Sequence, residues 1–263
     1  MTEPLVRYAV DRAVATLTLD SPANRNALST RLVAQLEEGL GQAGADPEVR
    51  AVVLAHTGSV FCAGADLTEA TGADPASGPR NLVKLMRALV ELPKPVLARV
   101  DGHVRAGGMG LVGSCDLAVA GPKATFAFTE VRLGVIPAVI SATVLPRLAP
   151  RAAAELYLTG EVFDGVRAAE VGLVTAAVSA EGLDATVAGY CDALVRGGPL
   201  ALAGAKQLLR RAPTGSIRAD LAELSERSGA YFRSAEGTEG VTAFREKRDP
   251  SWVPRVTTRE GVQ

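Results

Sequence analysis

An α/β fold built on a parallel sheet with right-handed crossovers is predicted by three observations. Short, β-rich apolar runs near 51–55, 96–100, 117–120 and 173–178 alternate with helical segments. Glycine-dense turns follow two of those runs, at FCAGADL (61–67) and VDGHVRAGGMGLVGSCDLAVAG (100–121). From about residue 199 onward the pattern is helical only. The 263 residues suffice for one large core and a smaller helical appendage, drawn as 1–198 and 199–263.

Each element has a local reason. VRYAV and AVATLTL are β-rich runs around Asp11-Arg12, which reads as an opening hairpin. Residues 29–43 place Leu32, Val33, Leu36 and Leu40 at helical spacing. Strand AVVLA (51–55) follows. TEATGADPASGP (68–79) is a small-residue Pro/Gly loop, a kind that often carries function. Residues 80–91 read as a helix stopped by Pro93 and Pro95. There is no internal repeat and no low-complexity segment.

Composition narrows the function. A 48% hydrophobic and 22% charged chain is ordinary for a soluble globular protein. With a net charge of −1 and no long Lys/Arg run, neither nucleic acid nor an anionic membrane is an expected partner. No run is long enough to span a bilayer and no basic-then-apolar leader is present, so the cytoplasm is the expected location. Cys62, Cys115 and Cys191 have no metal-ligand spacing and read as free buried thiols. With only His56 and His103 besides, no zinc site is expected.

The glycine-rich turns carry the chemistry. Paired glycines at a strand-to-helix junction let the backbone approach a ligand closely. They leave the first helix amides unpaired, where negative charge on oxygen is stabilised. Two such loops suggest an oxyanion hole with one N–H from each. Gly108-Met-Gly110-Leu-Val-Gly113 also fits the dinucleotide pattern, with Glu130 about 20 positions on. In that pattern the strand runs directly into the first glycine, whereas here Asp101–Gly107 intervene, which favours the oxyanion reading. Ser114, His103 and Asp116 lie close in sequence without a G-x-S-x-G elbow, so a hydrolase triad is not expected.

FCAGADL, VDGHVRAGGMGLVGSCDLAVA and FTEVRLGVIPA, in that order, resemble the three signature blocks of the crotonase superfamily, the enoyl-CoA hydratases and isomerases. SPANRNALS (21–29) is similar to the family's segment near the CoA phosphates, and LTGEVFDGVRAAEVGLV (158–174) to the helix before its last core strand. EGVTAFREKRDPSW (239–252) resembles its C-terminal helix. The resemblance implies a ββα spiral core with a C-terminal helical region that trimerises. It also implies an acyl-CoA thioester substrate, a homo-oligomer (trimer or dimer of trimers), and no cofactor beyond the CoA carried by the substrate.

By the same resemblance, the backbone amides of Ala65 and Gly107 polarise the thioester carbonyl and Glu130 is the acid/base. A carboxylate between apolar segments has its pKa raised by desolvation, which suits proton transfer near neutrality. Arg25 falls near the phosphates and the Ala63–Asp66 loop against the adenine, with Leu67 and His103 as further substrate contacts. Phe244 and Lys247 match a pair on the last helix that a neighbouring subunit contributes to CoA. A solvated lysine above a core phenylalanine is the competing reading.

Two departures stand out. The hydratases carry a second glutamate three residues past the oxyanion glycine, and here that position is Gly110. Asp66, Glu69, His103 and Asp116 are candidate substitutes, with His103 or Arg105 expected to fill the vacated polar space. The family's glycine cluster after Ile-Pro is replaced by Ala138-Val139-Ile140-Ser141, so Ala138, Val139 and Ile140 are specificity candidates, worth about 1–3 kcal/mol per methylene accommodated. The expected activity is hydration of a 2-enoyl-CoA with one glutamate. The alternatives are a Δ3–Δ2 double-bond shift with Glu130 as sole acid/base, or acyl-CoA binding without turnover.

Overall fold

The computed structural model describes residues 3–70 and 77–254, with the side chains of Leu67, Ala70 and Ser77 also outside the described set. In chain order the elements are β1 (Val6–Asp11), β2 (Val14–Leu19), α1 (Thr30–Ala45), β3 (Ala51–His56), β4 (Val60–Cys62), α2 (Leu67–Ala70), α3 (Ser77–Glu91), β5 (Val96–Val100) and β6 (His103–Arg105). They continue with α4 (Gly107–Ser114), β7 (Leu117–Ala120), β8 (Thr125–Ala127), α5 (Ala138–Val144), α6 (Pro150–Thr159), β9 (Phe163–Asp164), α7 (Gly165–Glu170), β10 (Ala176–Ala177) and α8 (Ala180–Val195). Helices α9 (Pro199–Leu209), α10 (Ile217–Arg233) and α11 (Ala235–Glu246) close the chain.

Among the described residues the strands form two sheets. One has the order β1-β2-β3-β5-β7-β10, antiparallel only between β1 and β2; the other is β4-β6-β8-β9, antiparallel only between β8 and β9. Strand β3 explains the first sheet's continuous apolar runs. Val52 and Leu54 point into one buried cluster, while Val53 and Ala55 point into a second with Leu183 and Val187 of α8. A parallel strand covered on both faces reads as unbroken hydrophobics.

Helix α1 begins where the sequence indicates. The Ser29 Oγ accepts the Leu32 amide at 3.3 Å, capping the helix. Leu32, Val33, Leu36 and Leu40 are buried, each burial contributing about 1.5–3 kcal/mol.

The expected loop over 68–79 needs correction at both ends: α2 covers Thr68–Ala70 and α3 starts at Ser77, while 71–76 lie outside the described residues. The second sheet escaped the sequence reading entirely. Its strands are two or three residues long, too short for any periodicity to register. Yet these strands hold the glycine-rich turns, because β4 runs into the 62–66 loop and β6 into α4.

The chain divides into two compact units, Met1–Cys191 and Asp192–Gln263, a division inside α8 and earlier than the sequence-based boundary at 198/199. Among its described residues the second unit's regular elements are all helices. Within it, Glu236 of α11 accepts the Leu200 and Ala201 amides at the start of α9 at 2.9 and 2.8 Å, a carboxylate at a helix N-terminus.

Candidate active site

Three loops of the first unit converge. Residues 21–28 are laced to the loop after β4: the Leu28 amide donates to Gly64 O at 2.8 Å and the Ala63 amide to Arg25 O at 3.1 Å. That loop lies against the entry to α4, where a Cβ on Gly64 would sit 3.1 Å from the Gly107 nitrogen. Gly64 has φ +95, so glycine is required there both for conformation and for this approach.

Among the described residues the amides of Ala65 and Gly107 donate to no backbone carbonyl. Gly107 opens α4, so its amide also stands at the positive end of a helix. The preceding Ala106 holds φ 44 and ψ −117, a conformation strained for any residue with a Cβ. Strain of this kind persists only where surrounding structure imposes it, and it occurs at sites of function. Here it turns the chain from β6 into α4 and presents the Gly107 amide.

Glu130 sits in a 3-10 turn, Thr129–Leu133, and is buried at 9% exposure. Its Oε2 has no hydrogen-bond partner. Burial raises its pKa above the usual carboxylate range, opposed by a hydrogen bond from its own backbone. A raised pKa and an unpaired oxygen suit this carboxylate to accept or donate a proton, unlike one held in a surface ion pair.

Position 110 explains the missing second carboxylate. A Cβ on Gly110 would lie 2.7 Å from Ile140 Cγ2 and 2.9 Å from Met86 Sδ. The two departures meet in space: Ile140 of α5 occupies the room that a side chain at 110 would need. Ile140 is buried, whereas Ala138 is exposed at the start of α5, so of the three specificity candidates it is Ile140 that meets α4. Gly108 and Gly113 of the dinucleotide-like pattern pack in the same way, against Cys62 and Val144. These glycines serve close helix packing.

The candidate substitutes for the second glutamate are engaged elsewhere, which corrects that expectation. Asp66 accepts from Asn24 Nδ2 at 2.8 Å and from the Thr68 amide and hydroxyl at 2.9 and 2.7 Å, and these bonds, the Thr68 hydroxyl foremost, lower its pKa. Glu69 accepts the Thr30 amide and hydroxyl at 2.9 and 2.8 Å. Asp116 accepts the Val96 amide at 2.8 Å. His103 is exposed with Nδ1 2.8 Å from Thr125 Oγ1, and Arg105 donates to Val104 O, Thr125 O and Thr125 Oγ1. The space at 110 is filled by apolar Ile140 and Met86, not by His103 or Arg105.

Of the CoA candidates, Arg25 is exposed in a left-handed conformation beside the half-buried Ala63. Leu67 opens α2, and its side chain lies outside the described residues. Phe244 is 85% exposed on α11. Lys247 stands just past that helix with φ 56, so the pair does not share a helix face as the spacing implied. Cys62 is buried and its thiol is pushed up to about 12 by desolvation, which makes it a packing residue. Ser114 directs its hydroxyl at Gly110 O, 2.7 Å away, an intrahelical bond that leaves no triad. Among the described residues no His/Cys/Asp/Glu group could hold a metal ion, and no helix is long and apolar enough to cross a membrane.

Sequence reasoning missed Asn26. It is fully buried with φ 51, donates to Thr57 O and Val60 O at 3.0 and 2.7 Å, and accepts the Ser21 amide at 2.7 Å. Its signal was an asparagine, tolerant of left-handed backbone, inside SPANRNALS. Asn26→Ala is expected to destabilise the fold by about 1–3 kcal/mol, read as a lowered thermal midpoint, since two carbonyls and an amide lose their partner.

The first unit thus holds two amides that donate to no backbone carbonyl and one buried carboxylate with an unpaired oxygen. The sequence profile of the enoyl-CoA hydratase/isomerase family matches residues 9–255, and the chain belongs to that family. A crystal structure of an enoyl-CoA hydratase from Mycobacterium avium is 52% identical, with 95% of this chain and 100% of that one covered at a TM-score of 0.74. The 1,2-epoxyphenylacetyl-CoA isomerase of Escherichia coli is 34% identical, covering 93% of this chain and 96% of its own. The 2,3-dehydroadipyl-CoA hydratase of the same organism is 32% identical, covering 92% and 96%. The fold is crotonase-like and the protein processes acyl-CoA thioesters.

Proposed function

We propose that the protein is an enoyl-CoA hydratase that works with one glutamate. The observation that carries this is Glu130: a buried carboxylate with one oxygen unpaired, in the same unit as two amides free to bind an oxyanion. The thioester oxygen accepts from Ala65 N and Gly107 N. Water attacks carbon 3, and one of its protons passes to the Glu130 carboxylate. The π pair moves toward carbon 2, and the resulting enolate oxygen is held by the amides, each contributing about 3–4 kcal/mol to the barrier reduction. Glu130 then delivers the proton to carbon 2, giving a 3-hydroxyacyl thioester and regenerating the carboxylate. CoA is carried by the substrate and no further cofactor takes part. Copies of the chain assemble as a trimer or dimer of trimers.

A second reading is favoured by the apolar filling at Gly110, which leaves no second carboxylate to activate water. In a Δ3–Δ2 shift Glu130 alone would remove a proton from carbon 2 and return it to carbon 4 through the same enolate. Mass spectrometry of products from crotonyl-CoA and from a 3-enoyl-CoA separates the two. A gain of water on crotonyl-CoA supports hydration. Conversion of the 3-enoyl to the 2-enoyl thioester, with no water added to either, replaces hydration by isomerisation.

A further inference from the structure

Hydration requires that the attacking water be oriented, and neither position 110 nor the four engaged polar groups can do this. Two hydroxyls lie on the helices that follow the turn bearing Glu130. Ser141 of α5 and Tyr157 of α6 bring Oγ and Oη to 3.4 Å, and both side chains are half-buried. The Tyr157 ring packs on Phe128 at 4.3 Å between centroids, and Phe128 is the residue from which the turn bearing Glu130 starts. Helix α6 therefore lies against that turn. The Tyr157 hydroxyl senses the carboxylate: burial first, and then the Glu130 charge, raise its pKa, so it stays protonated.

Resting on the hydratase reading, we propose that Tyr157 is a positioning residue that orients the attacking water beside Glu130, with Ser141 setting the direction of its hydroxyl. The proton inventory supports this. Ser141 directs its single hydroxyl proton at Pro137 O, 2.6 Å away. Its Oγ therefore faces Tyr157 as an acceptor and takes the phenolic proton. The Tyr157 oxygen is left as an acceptor for one hydrogen of the water, whose other hydrogen points to Glu130. Both hydrogens are then held and the lone pair of the water is free for carbon 3. No atom is gained or lost at Tyr157, which ends the step as it began. This also explains how hydration proceeds without a second carboxylate: Ile140 and Met86 crowd position 110, and a neutral phenol is less costly to bury than a second charge.

The test compares wild type, Tyr157→Phe and Ser141→Ala in two assays. One is hydration of crotonyl-CoA; the other is exchange of the carbon 2 protons of butyryl-CoA in deuterated water, which needs Glu130 and the amides but no oriented nucleophile. Tyr157→Phe keeps the ring on Phe128, so the fold is retained. It is expected to lower hydration kcat about 10–100-fold more than it lowers exchange, with Ser141→Ala shifting the same ratio less. If wild type hydrates and Tyr157→Phe hydrates equally well, the assignment is overturned while the hydratase reading stands. Loss of hydration and exchange in parallel would mean a structural role only and would also overturn it. If wild type exchanges but adds no water, the hydratase reading fails and the role of Tyr157 falls with it.

Discussion

Replacing Glu130 with glutamine is expected to lower turnover of an enoyl-CoA by about 10²–10⁴-fold while leaving thioester binding within a few-fold. Glutamine preserves shape and hydrogen-bonding capacity but cannot carry a proton between water and carbon 2. The pH dependence follows from burial. Glu130 accepts the proton from water only when ionised, and its pKa is raised above 4.5 chiefly by desolvation. The wild-type kcat/KM should therefore rise with pH through a midpoint above 4.5, a limb that the variant lacks. Stability runs the other way. The folded state holds this proton more tightly than the unfolded chain, so the contribution is complete below 4.5 and lost as pH rises through the folded pKa. Wild type and Glu130→Gln should melt together near pH 4, and the variant should be the more stable at neutral pH. A variant that is less stable at pH 7 would show that the ionised carboxylate is favourably paired, contrary to its lone Oε2.

The second large effect is expected at Gly64. A methyl group there would meet Ala106 Cβ at 2.7 Å and the Gly107 nitrogen at 3.1 Å, at φ +95. Neither neighbour is the end of a flexible side chain, so the loops bearing the two amides must separate. Gly64→Ala should lower kcat by about 10²–10³-fold, the loss seen when one oxyanion donor is misplaced. Gly41→Ala is the control: a Cβ at that position of α1 meets nothing within 4 Å, and it should leave kcat unchanged. Steady-state kinetics of both, with thermal midpoints to confirm folding, decide the matter. Equal activity in the two variants would mean that the approach of Gly64 to Gly107 is packing without catalytic consequence.

What was legible in the sequence follows physical scale. Strand β3 and helix α1 were visible because burial on two faces, or on one helical stripe, imposes a pattern over six to sixteen residues. The family blocks pointed to Ala65, Gly107 and Glu130 because these lie in contiguous motifs. Strands β4, β6 and β8 were invisible, since three residues make no pattern and their order is set by pairing between distant segments. The Gly110–Ile140 relation needs two residues thirty positions apart to be seen in contact, although each departure was apparent alone. Tyr157 sat in an otherwise ordinary helix pattern and gave no signal that its ring packs on Phe128, where the Glu130 turn starts. Lys247 shows a different limit. Its i, i+3 spacing from Phe244 implied a shared face, but the helix ends at Glu246 and the lysine takes a left-handed conformation.

The proposed mechanism requires one carboxylate to face an acyl group whose oxygen is held by two backbone amides. It is tested most directly by a crystal structure of Glu130→Gln with a bound 2-enoyl-CoA, in which slowed turnover preserves the ligand. The thioester oxygen should lie about 3 Å from both Ala65 N and Gly107 N, with residue 130 over carbons 2 and 3. A thioester oxygen bonded elsewhere, or an acyl chain directed away from residue 130, would contradict the account.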